Sequence, residues 1–334
     1  MPLLEVDRLS VAVQSDGLLQ PVVREISFTL ERGATLGIVG ESGCGKSLTS
    51  LAIMGLLAGT PVRITGGHIR FDGRDLLALE ARERRRLMGA AMAMIFQEPM
   101  TSLNPVYRVG DQIIEAIEQH RRCSRRESRE RARELLQQVR IPDPAGKLDF
   151  YPHQLSGGMR QRVMIAIALA SDPALLIADE PTTALDVTVQ AQILDLLLEL
   201  QRDHGMAILL ISHDLGVIAE TCNRVAVMYR GQIVERASSV ALFAMPRHPY
   251  TLGLMRSVPN PDVDPDSNLV RDARNEPGRL DAIPGRVPAI DERVDGCAFH
   301  PRCSMAEPVC RRDDPAVHDR NGHESRCHFA DTLS

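Results

Sequence analysis

The feature that most constrains the fold of this chain is the glycine-rich segment GESGCGKS at residues 40–47. It fits the phosphate-cradling pattern G-x-x-x-x-G-K-[ST], in which glycines allow backbone N–H groups to surround phosphates while the lysine and the hydroxyl reach the phosphates and Mg²⁺. An apolar run at 35–39 is typical of a buried strand, and residues 47–54 are typical of the following helix. We therefore predict a nucleotide-binding α/β fold whose phosphate ligands are Gly40, Ser42, Gly43, Gly45, Lys46, Ser47 and Leu48.

Five further segments follow the phosphate loop in a fixed order. They are IFQ at 95–97, LSGGMRQR at 155–162, ALLIADE at 174–180, ALD at 184–186 and ILLISHD at 208–214. Singly, a strand that ends in Asp-Glu or a histidine after a strand is more often structural. Together they resemble the motifs of ATP-binding-cassette (ABC) ATPases. The resemblance covers essentially the whole chain, and it implies ATP and Mg²⁺ as cofactors.

The resemblance also implies a role for each polar side chain. Lys46 binds the phosphates, Ser47 and Gln97 contact Mg²⁺, and Asp179 holds the ion directly or through water. In this family the segment 156–158 cannot reach the phosphates bound by its own chain. Ser156, Gly157 and Gly158 are instead expected to complete the site of an opposing subunit, so that ATP lies between two ATPases.

Hydrolysis requires a group that orients or deprotonates the attacking water. Glu180 is the expected base, and His213 is expected to contact the γ-phosphate and fix the water from the other side. A Glu between a Walker-type Asp179 and Pro181 has little structural purpose. Together with Gln97 and Lys46, these residues form the expected catalytic set.

The C-terminal part narrows the resemblance. PRHPYT at 246–251, IPGRVP at 283–288 and four cysteines after them resemble the ATPase subunits of bacterial dipeptide and oligopeptide importers, above all the D-type subunits of dipeptide permeases. This implies as partners a second, homologous ATPase in a heterodimer, two transmembrane permease subunits and a peptide-binding protein outside the membrane. Residues 98–105 are expected to line the groove that receives the permeases. Importers of nickel, haem precursors or other small solutes use similar ATPases and remain alternatives.

A soluble ABC ATPase of DNA or ribosome metabolism is the alternative from another class. Such proteins usually carry a coiled coil, a second cassette or a basic surface. Here the formal net charge is −5 and the pI is about 6.1, so no nucleic-acid partner is predicted. No secretory signal and no apolar stretch of roughly 18 residues is evident. The expected location is peripheral, on the cytoplasmic face of the inner membrane.

The four cysteines of the tail have the spacing C-x5-C-x6-C-x16-C and comprise Cys297, Cys303, Cys310 and Cys327. Disulfides are uncommon in the cytosol, and the close C-x2–4-C pairs of structural zinc sites do not occur here. Four widely spaced thiolates suit an iron–sulfur cluster at least as well as zinc. The resemblance implies a [4Fe–4S] cluster, either structural or redox-sensing, with zinc or no metal as alternatives.

Alternation of apolar and helical segments divides the chain into four expected parts. These are a first part of the nucleotide-binding core with a β lobe at 1–98, a helical subdomain at 99–158, the second part of the core at 159–244 and a C-terminal extension at 245–334. Strands of the antiparallel β lobe are predicted at 4–13 and 26–30. Frequent prolines after residue 245 predict an irregular tail.

Two positions near the nucleotide carry separate expectations. Val13 stands about where the family usually has an aromatic residue that stacks on adenine, so adenine is expected to pack on an aliphatic surface. Cys44 lies at a variable position of the phosphate loop, and its thiol is expected to make the site sensitive to alkylation.

Overall fold

The computed structural model describes residues 1–15, 17–97, 102–183, 185–257 and 283–333. Three expectations from the sequence fall outside the described residues. They concern the boundary at 98–99, the first half of the segment 98–105 and Ala184 of the ALD segment.

Twelve described strands form two sheets. In chain order they are β1 (Leu4–Ser15), β2 (Leu18–Leu30), β3 (Thr35–Val39), β4 (Val62–Phe71), β5 (Arg74–Asp75), β6 (Met92–Ile95), β7 (Leu175–Asp179), β8 (Ala207–Ser212), β9 (Arg224–Tyr229), β10 (Gln232–Ser238), β11 (His318–Arg320) and β12 (His323–Ser325).

The helices belong to three regions: the nucleotide-binding core, a helical subdomain and the C-terminal extension. In chain order they are α1 (Lys46–Ile53), α2 (Ala81–Leu87), α3 (Val109–His120), α4 (Arg125–Gln138), α5 (Pro144–Lys147), α6 (Gly157–Ala168), α7 (Val187–His204), α8 (Leu215–Thr221), α9 (Ser239–Ala244), α10 (Pro249–Arg256) and α11 (Pro308–Arg312).

An antiparallel lobe of strand order β2-β1-β4-β5 covers one face of the core, as predicted. Its apolar side chains share a hydrophobic cluster with α1 and one face of β3, β7 and β8. The strands extend beyond their predicted limits because the β1–β2 pairing continues to Ser15 opposite Leu18. This outer part of the hairpin is partly exposed, so it lacks the apolar alternation by which a strand is recognised.

The main sheet has the strand order β11-β12-β10-β9-β3-β8-β7-β6. The strands from β9 to β6 are parallel, and all residues of β3, β7 and β8 are buried. Buried parallel strands place the segments that follow them at one edge of the sheet, where ligands bind in such folds. The phosphate loop, Glu180 and His213 follow β3, β7 and β8 and therefore lie at this edge.

The helical subdomain packs α3 and α4 against α6 through buried aliphatic residues such as Ile113, Leu135 and Val163. Ser124 and Glu127 form a capping box at the start of α4, which satisfies two otherwise unpaired N–H groups.

The C-terminal part is less irregular than the sequence predicts. β11 and β12 form a hairpin that extends the main sheet, with Glu235 of β10 opposite Ser325 and Arg236 opposite Glu324. Each hairpin strand has three residues, so their pairing depends on the available edge of β10. Within the described ranges, no helix combines the length and apolar character needed to cross a bilayer.

Candidate nucleotide-binding and hydrolysis site

Two glycines allow the phosphate loop to pack closely against the core. A Cβ on Gly40 would lie 2.1 Å from the carbonyl oxygen of Met228. Gly45 has a φ of 104°, and its Cβ would lie 2.9 Å from Cε of Met228. Larger residues would force the loop away from β9, so this loop shape requires glycine at both positions. Ser42 and Gly43 stand at the exposed tip.

Lys46 is buried at the first position of α1, with Gly45 as the N-cap. Its Nζ donates hydrogen bonds to the carbonyl oxygens of Gly40 at 2.7 Å and Glu41 at 3.2 Å. The first N–H groups of a helix, here those of residues 46–48, lack carbonyl partners within the helix. A fixed ammonium group beside these donors makes the site suitable for a polyanion.

Hydroxyl groups on α1 meet the carboxylate at the end of β7. Ser47 Oγ donates to Oδ1 of Asp179 at 3.1 Å. Ser50 Oγ lies 3.4 Å from Oδ2 and donates to the carbonyl oxygen of Ser47 at 2.8 Å. Burial raises the pKa of Asp179, and the hydrogen bond from Ser47 partly opposes this. Carboxylate and hydroxyl oxygens suit Mg²⁺, so Ser47 and Asp179 fit the expected ion. Ser50 is missed by the motif, although it lies one turn after Ser47.

Three side chains converge on one oxygen of Glu180. Its Oε2 accepts from Nε2 of Gln97 at 2.9 Å and from Oγ1 of Thr183 at 3.0 Å, and it lies 3.4 Å from Nδ1 of His213. The structure thus brings together Gln97, Glu180 and His213 from three sequence segments. Thr183 is missed by sequence analysis, although its position three residues after Glu180 is a usable signal.

The backbone of Glu180 is in the left-handed region, with a φ of 47°. Such a conformation costs a non-glycine residue about 1–3 kcal/mol and is concentrated at functional sites. Its N–H donates to the carbonyl oxygen of Ile211 at 2.9 Å, which fixes the residue between β7 and β8. The strain and this bond set the direction in which the carboxylate leaves the strand.

Ser156, Gly157 and Gly158 lie in a separate open cleft of about 430 Å³. The residues that line this cleft include Leu185 and Asp186, and they include no residue of the phosphate loop. Ser156 is the N-cap of α6, and its Oγ accepts from the N–H of Met159 at 3.4 Å. The signature loop and residues after the carboxylate pair therefore share one surface.

A cavity of about 210 Å³ borders the phosphate loop at Gly43. Pro21 and Val22 of β2 line one part of it, and Val287 and Pro288 of the C-terminal extension line another. Val13 is not among the residues that line it. Arg24, Arg230, Glu292 and Arg293 also line it, so the surface next to the phosphate loop combines aliphatic and charged side chains.

The four tail cysteines are free thiols that border one small cavity of about 20 Å³, together with Phe299. Burial, with a smaller contribution from the other thiols, raises the pKa of Cys297 and of Cys327 to about 11. Among the residues that the structure describes, no group of three or more His, Cys, Asp or Glu side chains is arranged to hold a metal ion.

The structure contradicts the expected sensitivity of Cys44. The residue is 1% exposed, and burial raises the pKa of its thiol above the usual value. Alkylation requires access and a thiolate, so both conditions are unfavourable at this position.

Comparison with known proteins defines the class to which this fold and site belong. The family model described as ABC transporter matches residues 23–183. The dimeric post-hydrolysis structure of the ATP-binding cassette MJ0796, bound to ADP and Pi, superposes with a TM-score of 0.63 at 26% identity, covering 71% of this chain and 98% of that one. The chain is an ABC-type transport ATPase.

Full-length relatives specify the family further. The model described as Oligopeptide/dipeptide transporter, C-terminal region, matches residues 234–310. The dipeptide transport ATP-binding protein DppD of Escherichia coli K12 is 51% identical over 98% of this chain and 97% of its own length. DppD of Haemophilus influenzae is 48% identical over 98% and 96%. The chain belongs to the ATP-binding proteins of dipeptide and oligopeptide ABC transporters.

Proposed function

We propose that the chain hydrolyses ATP to drive the uptake of dipeptides or short oligopeptides. The observation that supports this cargo class is the match of residues 234–310 to the C-terminal region of oligopeptide and dipeptide transporters. Relatives with about half of their residues identical are dipeptide transport proteins. The chain would work on the cytoplasmic face of the cell membrane with a second ATPase, two permease subunits and a peptide-binding protein.

In this proposal the hydrolytic chemistry is carried by the residues around Glu180. Lys46 and the N-terminus of α1 would hold the phosphates, and Ser47, Asp179 and Gln97 would hold Mg²⁺, which when bound would neutralise charge on the phosphates. The carboxylate of Glu180 takes a proton from the water that attacks the γ-phosphorus, while ADP leaves from the opposite side. Gln97, Thr183 and His213 keep Oε2 of Glu180 directed at that water, as their contacts with this oxygen suggest.

ATP would be enclosed between this chain and the second ATPase. Support comes from the separate cleft that contains Ser156, Gly157 and Gly158, because an exposed glycine-rich helix start is suited to an anion from outside the chain. Closing this contact on ATP and opening it after hydrolysis would couple the chemistry to the permeases.

The adenine base would pack in the cavity beside Gly43, between Val22 and the extension residues Val287 and Pro288. This replaces the aromatic stacking that Val13 cannot provide.

We also propose that the chain is divided into the four parts expected from the sequence, at 1–98, 99–158, 159–244 and 245–334.

We further propose that Cys297, Cys303, Cys310 and Cys327 hold a [4Fe–4S] cluster. The support for this proposal is that the four thiols border one cavity, which favours a shared ligand. Four thiolate ligands are also the usual ligand set of a [4Fe–4S] cluster. When bound, it would stabilise the extension and could exchange an electron.

Transport in proteoliposomes containing the complete transporter would test the cargo. We expect ATP-dependent uptake of a radiolabelled dipeptide, abolished by Glu180→Gln. Uptake of nickel or another small solute, but of no peptide, would contradict the cargo class while retaining the ATPase.

Anaerobic purification with iron, sulfide and zinc analysis would test the cluster. We expect a broad visible absorption band and about four irons per chain, lost in Cys303→Ser and retained in Cys123→Ser. Zinc alone, or no metal, would contradict the cluster.

A further inference from the structure

Glu41, the second residue of the phosphate loop, is held by two residues of the C-terminal extension. The guanidinium of Arg302 donates to both carboxylate oxygens, with Nη1 2.6 Å from Oε2 and Nη2 3.0 Å from Oε1. The hydroxyl of Tyr250 accepts from the N–H of Glu41 at 2.9 Å. Such a two-point pair between guanidinium and carboxylate fixes orientation as well as distance.

Both extension residues are themselves firmly placed. The side chain of Arg302 is only 4% exposed, and its Nε donates to the carbonyl oxygen of Pro284 at 2.9 Å. Tyr250 is fully buried, with its ring 4.6 Å from that of Tyr229 and 5.3 Å from that of Phe299. Neither residue can therefore follow Glu41 if the loop moves.

Glu41 in turn connects the extension to the phosphate-binding lysine. Its carbonyl oxygen accepts from Nζ of Lys46 at 3.2 Å and from the N–H of Cys44 at 3.3 Å. The N–H, the carboxylate and the carbonyl of one loop residue are thus all engaged. A loop that is already restrained loses less conformational entropy when the nucleotide binds.

The charge of Glu41 adds a second effect. A carboxylate in a loop that binds a triphosphate would repel that ligand at short range. Arg302 neutralises it, and although the Glu41 side chain is 30% exposed, burial of Arg302 limits screening of the pair by salt. Loss of Arg302 would therefore both loosen the loop and expose an uncompensated negative charge to the nucleotide.

We propose that the C-terminal extension sets the nucleotide affinity of this ATPase, with Arg302 as a positioning residue for the phosphate loop. Arg302 acts through Glu41 and does not itself contact the reacting atoms. It directly precedes Cys303, whose thiol borders the cysteine cavity.

The test is equilibrium binding of a fluorescent ATP analogue, with Mg²⁺, to the full-length chain. For Arg302→Met we expect about tenfold weaker binding. This factor corresponds to the free-energy cost of ordering the backbone of one residue again when the nucleotide binds. Arg247→Met is the matched control, since Arg247 is also 4% exposed and its guanidinium bonds to Ala330, His323 and Asp331. We expect its affinity to stay within about twofold of wild type, because these contacts lie outside the loop.

A double variant and a kinetic assay separate positioning from general destabilisation. In Glu41→Gln/Arg302→Met the uncompensated carboxylate is gone, so affinity should partly recover relative to Arg302→Met. In steady-state assays Arg302→Met should raise KM for ATP while kcat changes little, whereas misfolding would lower kcat.

Equal binding by Arg302→Met and wild type, or equal losses in Arg302→Met and Arg247→Met, would overturn the inference. Lys46→Ala reports whether the signal arises from the phosphate loop. If wild type and Lys46→Ala bind alike, the proposed phosphate role of Lys46 is contradicted instead.

Discussion

The amide nitrogen of Gln97 lies 2.9 Å from Oε2 of Glu180, although the two residues are 83 positions apart. The parallel pairing of β6 and β7 produces this contact. Ile95 lies opposite Ala178, and Gln97 and Glu180 each come two residues after one member of this pair. The register of two buried strands therefore fixes the distance between the amide of Gln97 and the carboxylate of Glu180.

Replacing Glu180 by Gln should remove the acceptor of the water proton while preserving size and hydrogen bonding. We expect ATP binding within about twofold of wild type and a loss of hydrolysis of about 10²- to 10⁴-fold. Single-turnover hydrolysis in the assembled transporter measures this. Glu83→Gln, on the exposed surface of α2, is the control, and near-normal turnover by Glu180→Gln would disprove the assignment.

Thr183 should support hydrolysis through its hydrogen bond to Glu180. Thr183→Val keeps the shape and removes the donor, and we expect kcat to fall about tenfold, the usual effect of losing a hydrogen bond to a charged group. KM for ATP should stay unchanged, because Thr183 bonds to the expected base Glu180 and the substitution leaves the expected phosphate ligands in place. Thr183→Ser retains the hydroxyl and should remain close to wild type. Equal rates for the valine and serine variants would show that the bond has no catalytic role.

Ser156 should have two separable roles, as N-cap of α6 and as ligand for the nucleotide of the partner. Ser156→Asp retains an acceptor for the N–H of Met159, so the melting temperature should change little. Its negative charge would face the triphosphate, so ATP-induced association with the second ATPase should be lost. Light scattering in a Glu180→Gln background measures association, and intact association would contradict a signature loop at the interface.

Thiol reactivity should follow burial. Burial raises the pKa of Cys44, and that of Cys222 to about 12, so at pH 8 both remain protonated and unreactive. Cys123 is exposed, and we expect it to react with iodoacetamide first. Peptide mass spectrometry of samples taken over time would check this order. Rapid labelling of Cys44 that ATP prevents would instead support the expectation from sequence.

The sequence alone was sufficient to predict the nucleotide-binding core, because its determinants are local. A glycine loop between a buried strand and a helix, and carboxylates at the end of a strand, are defined by neighbouring residues. The structure then places Lys46, Asp179, Glu180 and His213 at one edge of the sheet, as parallel strands require. The expected antiparallel lobe is present for the same reason, although the exposed part of its hairpin and the strands β4 and β5 were not predicted.

The sequence did not predict the contacts that depend on the path of the whole chain. The Arg302–Glu41 pair joins residues 261 positions apart, and no local pattern marks either of them as a partner. The β11–β12 hairpin pairs with β10, which lies more than 80 residues earlier in the chain. The cysteine cavity likewise joins residues 248–249 with residues 297–333 of the extension. Local sequence was enough to predict which residues bind the nucleotide, whereas tertiary packing decided what holds the phosphate loop, because long-range partners are selected by shape and burial.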